Sequence, residues 1–314
     1  MTSWIGSKII EMELHIIPGT YVVAVSGGVD SMALLDMLAK QTTVAPSADG
    51  KLRLVVAHYD HGIRPDSAED RLLVQMTAQR YGLPFVYEEG KLGVGAGEAE
   101  ARRARYAFLE KVRRAAAARA IITAHHEDDM IETAILNILR GTGRKGLTSL
   151  ADRRYVLRPL LQRTKQQLAA YARENSLQWR EDSTNIDERY ARNYIRHRLL
   201  PRFGAEDRAR LLAIIEHTRQ VNSALDAELA NLMHVQPATH VLERQAFTSL
   251  PHAVAREFLA AWFRARGIRS FDRGVLERVV VAAKTQHAGT SIDIMERASL
   301  RVERKTLALI THER

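Results

Sequence analysis

The chain has 314 residues, no cysteine and a formal net charge of +9. Its length suits two domains, and a hydrophobic content of 46% is enough for a substantial core. The absence of cysteine excludes disulfides, thiolate nucleophiles and cysteine-ligated zinc or iron–sulfur clusters. The positive charge favours a polyanionic partner, although a generally arginine-rich surface would give the same balance.

Hydropathy gives no sign of membrane insertion. No window of the sequence approaches the roughly 18 uninterrupted apolar residues of a membrane span. The first 19 residues mix Glu11 and Glu13 with apolar residues and lack the pattern of a signal peptide. We therefore expect a cytoplasmic protein that does not bind a membrane.

Strand-like and helix-like patterns alternate through the first half of the chain. We predict strands at 21–25, 52–57, 85–87 and 120–124, and helices at 31–41, 67–81, 98–118 and 128–140. This alternation predicts an α/β fold, a doubly wound parallel sheet with helices on both faces. In such sheets, ligands bind at the carboxyl ends of the strands.

The second half changes character after Pro201. Before it, we predict an extended run at 155–161 and a helix that Thr164 caps, with Gln167 in the capping-box position. Beyond it, we predict helices at 210–233, 247–266 and 272–286 and a small hairpin within 289–310. We expect a catalytic domain over 1–203 and a smaller, mostly helical domain with a terminal hairpin over 204–314.

A glycine-rich segment, Ser26-Gly27-Gly28-Val29-Asp30-Ser31, joins the first predicted strand to the first predicted helix. Glycine lets the backbone approach a ligand closely, and the first turn of a helix offers unpaired N–H groups. Together these features predict a phosphate-binding loop. The spacing is neither that of the Walker A motif nor that of the dinucleotide fingerprint. An ordinary strand-to-helix turn is the alternative.

Two further polar clusters follow the second and fourth predicted strands. The first contains His58, Asp60 and His61, which could hold adenine and ribose; a polar loop with a capping aspartate is the alternative. The second has five titratable residues in a row, 125–129, with Glu132 one turn beyond Asp129. Such a cluster could bind Mg²⁺, bind zinc or act as a general base, and helix capping is the alternative.

Arginines recur at helical spacings. Arg102 and Arg105 are three residues apart, and Arg192 and Arg196 are four apart, so each pair shares a helix face. Arg140 precedes a glycine-rich basic segment that could hold phosphate. A solvated helix face explains the pairs equally well, and a helix C-cap explains Arg140 and Gly141.

Seven blocks taken together, in order, resemble the tRNA(Ile)-lysidine synthetase family of PP-loop ATP pyrophosphatases. They are residues 26–31, 58–64, 101–106, 125–133, 140–147, 158–160 and 181–196, and the resemblance covers about residues 20 to 201. It implies an adenine nucleotide alpha hydrolase-like fold. The tail after Pro201 is similar to the small helical domain of the family, with weaker signals. The larger second C-terminal domain of longer members has no room here, so we expect a short form.

The resemblance implies a defined reaction. ATP would adenylate the C2 oxygen of the wobble cytidine in the CAU-anticodon isoleucine tRNA. Free L-lysine would then attack C2 through its ε-amine and release AMP.

From the residue patterns and the resemblance together we expect three sets of site residues. ATP would be bound by Ser26, Gly27, Gly28, Val29, Asp30, Ser31, His58, Asp60 and His61. Asp129, His125 and Asp30 would be catalytic, and Asp30 and Asp129 would hold Mg²⁺. The tRNA would be bound by Arg102, Arg105, Arg140, Arg192 and Arg196.

One position departs from the family pattern: Met130 stands where Gln is usual. Neither side chain could serve as a base or a ligand for a hard cation, so the chemistry should survive with the loss of a hydrogen bond. Thiolating relatives use Cys-x-x-Cys pairs, and amidotransferase relatives such as GMP synthetase use a catalytic cysteine, which this chain lacks. A non-catalytic, ATP-sensing RNA-binding module is the remaining alternative. A homodimer is among the oligomeric states that the sequence allows.

Overall fold

A computed structural model describes residues 14–43, 51–62, 66–90, 97–142, 144–150, 155–180, 191–234, 240–268 and 271–311. The chain divides into two compact units, Met1–Arg219 and Gln220–Arg314. The domain limits expected from the sequence, 1–203 and 204–314, stay a prediction. Within the described ranges, no helix is both long enough and apolar enough to cross a membrane.

The first unit is built on a parallel sheet. Its described strands are β1 Gly19–Ala24, β2 Leu52–Asp60, β3 Phe85–Glu89, β4 Ala120–Ile122 and β5 Val156–Leu157, in the order β3-β2-β1-β4-β5. Val22 of β1 stands between Val55 of β2 and Ile121 of β4. The strand order runs outward from β1 in both directions. The gap between β1 and β4 is therefore the topological switch point, where sheets of this class bind ligands.

Helices cover both faces of this sheet. The helices of this unit up to residue 194 are α1 Val29–Thr43, α2 Ser67–Arg80, α3 Glu98–Ala115, α4 Glu127–Leu139, α5 Arg144–Leu147, α6 Lys165–Glu174 and α7 Ala191–Tyr194. Val23 packs with Leu34 of α1 and Leu168 of α6 in one core cluster, and Val22 packs with Leu109 of α3 in another. Successive side chains of a strand point to opposite faces, so the two clusters lie on opposite sides of the sheet. The predicted doubly wound α/β class is confirmed.

An irregular helical segment follows α7. It consists of a π-helix at Ile195–Leu199 and a 3₁₀ turn at Leu200–Arg202, and it precedes α8 Ala205–His234. Ile195 and Leu200 pack against Ile131 and Leu136 of α4. The segment therefore packs against α4, the helix that carries Glu127, Asp128, Asp129 and Glu132, called the acidic cluster below. Short π-helical turns occur frequently at functional sites.

The second unit combines helices with an antiparallel sheet. Its elements after α8 are β6 Val241–Glu243, α9 Arg244–Ser249, α10 His252–Ala265, α11 Arg273–Thr285, β7 Ser291–Met295, β8 Ala298–Val302 and β9 Thr306–Thr311. The described strands have the order β6-β9-β8-β7.

Two sequence predictions for the second unit need correction. The single helix predicted at 247–266 is two helices, α9 and α10, because Pro251 interrupts the pattern and becomes the N-cap of α10. The hairpin predicted within 289–310 is instead three strands of a sheet that also includes the distant β6.

Candidate active site

The three polar clusters meet at one edge of the parallel sheet. Residues 26–31 follow β1, His58 and Asp60 end β2, and the segment that begins at His125 follows β4. We call residues 26–31 the glycine loop. Since β1 pairs with both β2 and β4, this loop lies between the other two clusters. The site therefore occupies the carboxyl ends of the strands at the switch point, where the sequence predicts it.

The glycine loop is closed by its own last serine. Ser31 Oγ accepts hydrogen bonds from the backbone N–H groups of Ser26 and Gly27, both at 3.2 Å, and donates to the carbonyl of Gly28 at 2.9 Å. Gly27 has a φ of +96°, a conformation that favours glycine. The loop leads directly into α1, whose first turn supplies N–H groups and the positive end of the helix dipole. This arrangement can hold a phosphate group.

The outer side of the loop is in contact with two other segments. A Cβ atom at Gly27 would lie 3.3 Å from Cβ of Asp70, in the first turn of α2. The Gly27 carbonyl accepts a hydrogen bond from the backbone N–H of Arg180 at 3.0 Å. The loop is therefore held from inside by Ser31 and from outside by α2 and Arg180.

The polar residues at the end of β2 are engaged in local structure. His58 is buried, and its Nδ1 is 2.9 Å from the carbonyl of Val25, the residue before the loop. Burial lowers the pKa of His58, so its ring is neutral and Nδ1 donates to that carbonyl. Asp60 Oδ1 accepts from the backbone N–H of Gly62 at 2.8 Å, and His61 packs edge-on against Tyr59. Their expected contact with ATP stays a prediction.

A histidine joins the acidic residues of two different helices. His126 Nε2 lies 3.5 Å from Asp30 Oδ2 in α1 and 3.5 Å from Asp129 Oδ2 in α4. Burial opposes protonation of His126, but the hydrogen bond to Asp30 and the charge of Asp129 outweigh it and raise the pKa. Asp30 Oδ1 is buried and accepts no hydrogen bond within the described residues. The two carboxylates that the sequence assigns to Mg²⁺ are thus brought together.

Asp129 contacts both the start of its own helix and a side chain of the candidate site. Its Oδ2 accepts from the backbone N–H of His126 at 3.0 Å, the bond that the N3 residue of a capping box makes to the N-cap backbone. Its Oδ1 is 3.3 Å from Arg196 Nη2. Asp128, by contrast, accepts from the backbone N–H of Lys165 at 3.2 Å and pairs with Arg208. Of these two neighbouring aspartates, Asp129 is the one that faces Asp30.

Glu132 and Arg196 form a bidentate ion pair, in which Glu132 is buried and Arg196 is partly exposed. Arg196 Nε donates to Glu132 Oε1 at 2.6 Å, and Arg196 Nη2 donates to Oε2 at 2.8 Å. Glu132 is fully buried, which raises its pKa, while Arg196 acts in the opposite direction. Arg192 Nε is 3.9 Å from the same carboxylate. Sequence reasoning did not predict this pair. The available signal was helical spacing, because Arg192 and Arg196 lie one turn apart, as do Asp129 and Glu132.

His125 makes a different hydrogen bond from His126. Its Nδ1 is 2.8 Å from Thr123 Oγ1. Burial lowers the pKa of His125 to about 3; the charge of Asp129 opposes this effect, and the charges of Arg158 and Arg105 add to it. The ring is therefore neutral at pH 7 and a weak base. Sequence reasoning selected His125 for catalysis, whereas His126 is the histidine that contacts Asp30 and Asp129.

Arginines of α3 border this histidine. The guanidinium groups of Arg102 and Arg105 lie 5.1 and 5.6 Å from the ring centre of Tyr106, so both occupy one side of α3. Burial lowers the pKa of Arg105, and the neighbouring charges of Arg102 and Arg192 lower it further. This accumulation of positive charge suits an anion.

The remaining predicted residues are placed elsewhere or not described. Arg140 is exposed and caps the carboxyl end of α4, whereas Asp129 lies in its first turn. Arg64, Gly143 and residues 181–190 lie outside the described residues.

The donor set fits magnesium better than zinc. Mg²⁺ takes one or two carboxylates and completes its shell with water and phosphate oxygens, which suits Asp30 and Asp129. A buried carboxylate oxygen without a hydrogen bond, Asp30 Oδ1, is consistent with such a ligand. Zinc prefers three or four protein ligands, and among the described residues no group of three or more histidine, aspartate or glutamate side chains could hold a metal.

The chain is similar in sequence to known proteins. The chain is 35% identical over 274 residues to a tRNA(Ile)-lysidine synthase of Solibacter usitatus, covering 83% of this chain and 60% of that protein. It is 39% identical over 268 residues to a tRNA(Ile)-lysidine synthase of Thermus thermophilus, covering 81% and 50%. The chain thus spans only about half of the length of these relatives.

A solved structure resembles the fold. A U34-tRNA thiolase, NcsA, from Methanococcus maripaludis superposes with a TM-score of 0.52 at 14% identity, covering 66% of this chain and 73% of that one. The model of the PP-loop domain family matches residues 8–203, which include the glycine loop and the acidic cluster. The chain belongs to the PP-loop domain family.

Proposed function

We propose that the chain has tRNA(Ile)-lysidine synthetase activity: it joins L-lysine to C2 of the wobble cytidine in the CAU-anticodon isoleucine tRNA, at the expense of ATP. One observation carries the proposal. Asp30, from the helix that follows the glycine loop, and Asp129, from the acidic cluster, converge within 3.5 Å of His126 Nε2. A phosphate loop and an acid–base cluster in one site suit nucleotide activation followed by attack of an amine.

In the first step, the C2 oxygen of the cytidine attacks the α-phosphorus of ATP, and pyrophosphate leaves. The N–H groups of the glycine loop and of the first turn of α1 would hold the phosphates. Asp30 and Asp129 would hold Mg²⁺, which neutralises charge on the phosphates when bound. The Ser31 hydroxyl accepts from the N–H groups of Ser26 and Gly27, which would otherwise be free to bind phosphate. When ATP binds, a phosphate oxygen would replace the hydroxyl on these groups, and Ser31 would bond to the phosphate.

In the second step, the ε-amine of lysine attacks C2, a C–N bond forms and AMP leaves. A free lysine amine has a pKa of about 10.4, so it must lose a proton before it attacks. The Asp129 carboxylate is placed to orient the ammonium group and to accept its proton. His125, whose low pKa makes it a weak base, could accept a hydrogen bond from the amine. Glu132 is held by Arg196 and adds a second carboxylate beside Asp129.

The tRNA would be bound through its phosphates. The net charge of +9 supplies the general attraction, Arg102 and Arg105 supply charge close to His125, and Arg192 adds charge near Arg105. Arg196 would have a different role, because its guanidinium donates two hydrogen bonds to Glu132. It holds the acidic cluster in place.

Release of pyrophosphate separates this proposal from the non-catalytic alternative. We expect release from ATP to require the CAU-anticodon isoleucine tRNA. ATP binding without any tRNA-dependent release of pyrophosphate would favour the sensor and contradict the enzyme.

A further inference from the structure

Arg180 connects the glycine loop to helix α2. Its backbone N–H donates to the carbonyl of Gly27 at 3.0 Å. Its guanidinium is 2.9 Å from Asp66 Oδ2 and 2.8 Å from Asp70 Oδ1, and it also pairs with Glu69. One residue thus contacts the loop through its backbone and the first turn of α2 through its side chain.

The first turn of α2 also contacts the loop directly. Cβ at Gly27 would lie 3.3 Å from Cβ of Asp70, so α2 approaches the glycine closely. The Asp70 side chain is only 9% exposed, whereas those of Asp66 and Glu69 are 44% and 61% exposed. Exposed pairs contribute little, so the pair with Asp70 should dominate. Gly27, Asp70 and Arg180 therefore form a closed set of contacts on the outer side of the loop.

We propose that Arg180 is a positioning residue for ATP, which fixes the direction of the Gly27–Gly28 peptide without touching the nucleotide. This inference rests on the proposed function, which places the ATP phosphates at the loop. The carbonyl of Gly27 and the N–H of Gly28 belong to one planar peptide group. Fixing the carbonyl from outside therefore fixes the N–H that faces inward.

The expected consequence is a loss of preorganisation. Without the guanidinium, Leu177 and Trp179 still pack in the core, but Arg180 itself is no longer tied to the first turn of α2, and part of the loop has to be ordered when the nucleotide binds. Such a cost weakens ATP binding and raises the KM for ATP. The rate at saturating ATP should change little, because the reacting groups are untouched.

The test compares three variants of the full chain. They are Arg180→Ala, Arg180→Lys and, as a matched control, Arg113→Ala. Arg113 also forms a close ion pair, with Glu110 at 2.7 Å, but it lies in the last turn of α3, which leads to the amino end of β4. Calorimetric titration with Mg²⁺-ATP gives the affinity, thermal unfolding gives the stability, and tRNA-dependent pyrophosphate release gives kcat and KM.

We expect Arg180→Ala to weaken ATP binding about tenfold, with kcat within about twofold of the wild type. Arg180→Lys should recover part of the affinity, and Arg113→Ala should bind ATP normally. If Arg180→Ala does not fold, the Lys variant decides, since it keeps the charge but loses the fork that spans the carboxylates. Wild-type affinity in a folded Arg180 variant, or a loss in kcat alone, would overturn the inference. Failure of the wild type to bind ATP would overturn the proposed function as well.

Discussion

At the scale of single residues, Asp129 shows how one side chain can satisfy two explanations. It caps α4 through the backbone N–H of His126 and also stands beside Asp30 and Arg196. From the sequence, capping and catalysis are alternatives, and the geometry shows the bond at the helix start together with a position beside His126 and Arg196 that catalysis would require. A substitution that keeps the cap and removes the charge separates the two.

Asp129→Asn is such a substitution, because the asparagine amide oxygen can accept the same hydrogen bond from the backbone N–H of His126. We expect tRNA-dependent turnover to fall by roughly 10²- to 10⁴-fold, the effect of losing an acid–base group. Unfolding should change little. Asp128→Asn is the matched control, since Asp128 contacts Lys165 and Arg208 and lies 3.7 Å from Nδ1 of His126, not beside the Nε2 that faces Asp30. Near-normal turnover of Asp129→Asn would leave capping as the whole role of Asp129.

The two loop glycines should respond differently to alanine. Gly27 has a φ of +96° and little room beside Asp70, so Gly27→Ala should lower the free energy of unfolding by about 1 kcal/mol or more. Gly28 has room for a Cβ, with its nearest neighbours at 3.7 and 3.9 Å, so Gly28→Ala should fold with nearly unchanged stability. Chemical denaturation of both variants measures this difference. Equal stability losses would contradict the loop geometry.

His58 should contribute to the pH dependence of stability. Burial lowers its pKa in the folded state below the ordinary value of 6.5, so the unfolded chain binds the proton more readily. The contribution of neutral His58 is therefore complete above pH 6.5 and decreases as the pH falls below it. His58→Asn does not titrate and can still donate to the Val25 carbonyl. Its free energy of unfolding should fall less steeply than that of the wild type between pH 6.5 and 5, by at most about 1.4 kcal/mol per pH unit. Parallel curves would contradict the assignment.

Residue patterns found the positions of the site better than the partners within it. Strand ends followed by glycine, histidine and aspartate predict where Asp30 and Asp129 lie, because strand order and strand ends follow from local pattern. They do not predict that His126 rather than His125 contacts these carboxylates, or that Arg196 is committed to Glu132. Such contacts depend on side-chain directions between segments that are distant in the sequence.

At the scale of elements, sequence signals predicted local features best when the feature depends on a few neighbouring residues, as a helix cap does. Thr164 caps α6 as predicted: its Oγ1 accepts from the Gln167 N–H at 3.2 Å, and the Gln167 side chain accepts from the Thr164 N–H at 2.9 Å. The second unit shows the limit, since Pro251 divides the predicted helix and the predicted hairpin joins a distant strand. Long-range strand pairing leaves little trace in local periodicity.

The cap of α6 has a consequence for the site. Thr164→Ala removes the side-chain acceptor and should lower the free energy of unfolding by about 1 kcal/mol. Because the backbone N–H of Lys165 donates to Asp128, fraying of this end would reach α4. Thr285→Ala is a suitable control, because its hydroxyl donates to the carbonyl of Val281 within the last turn of α11. Equal denaturation midpoints for the two variants would contradict the importance of the cap.

At the scale of the whole molecule, the parallel sheet explains why the candidate site forms where it does. Strand order β3-β2-β1-β4-β5 places the loop after β1 beside the cluster after β4, although about a hundred residues separate them in the sequence. The predicted fold class is confirmed, and the family follows from the match over 8–203. The reaction itself remains a proposal, because the chain spans 60% and 50% of the two lysidine synthases described above.

The most direct test of the account is the product itself. The purified chain is incubated with CAU-anticodon isoleucine tRNA, ATP and L-lysine, and the tRNA is digested to nucleosides for mass analysis. We predict conversion of the wobble cytidine to a nucleoside heavier by one lysine with loss of water, only when ATP and lysine are both present. An unmodified wobble cytidine, from a folded chain that binds both ATP and the tRNA, would contradict the proposed function.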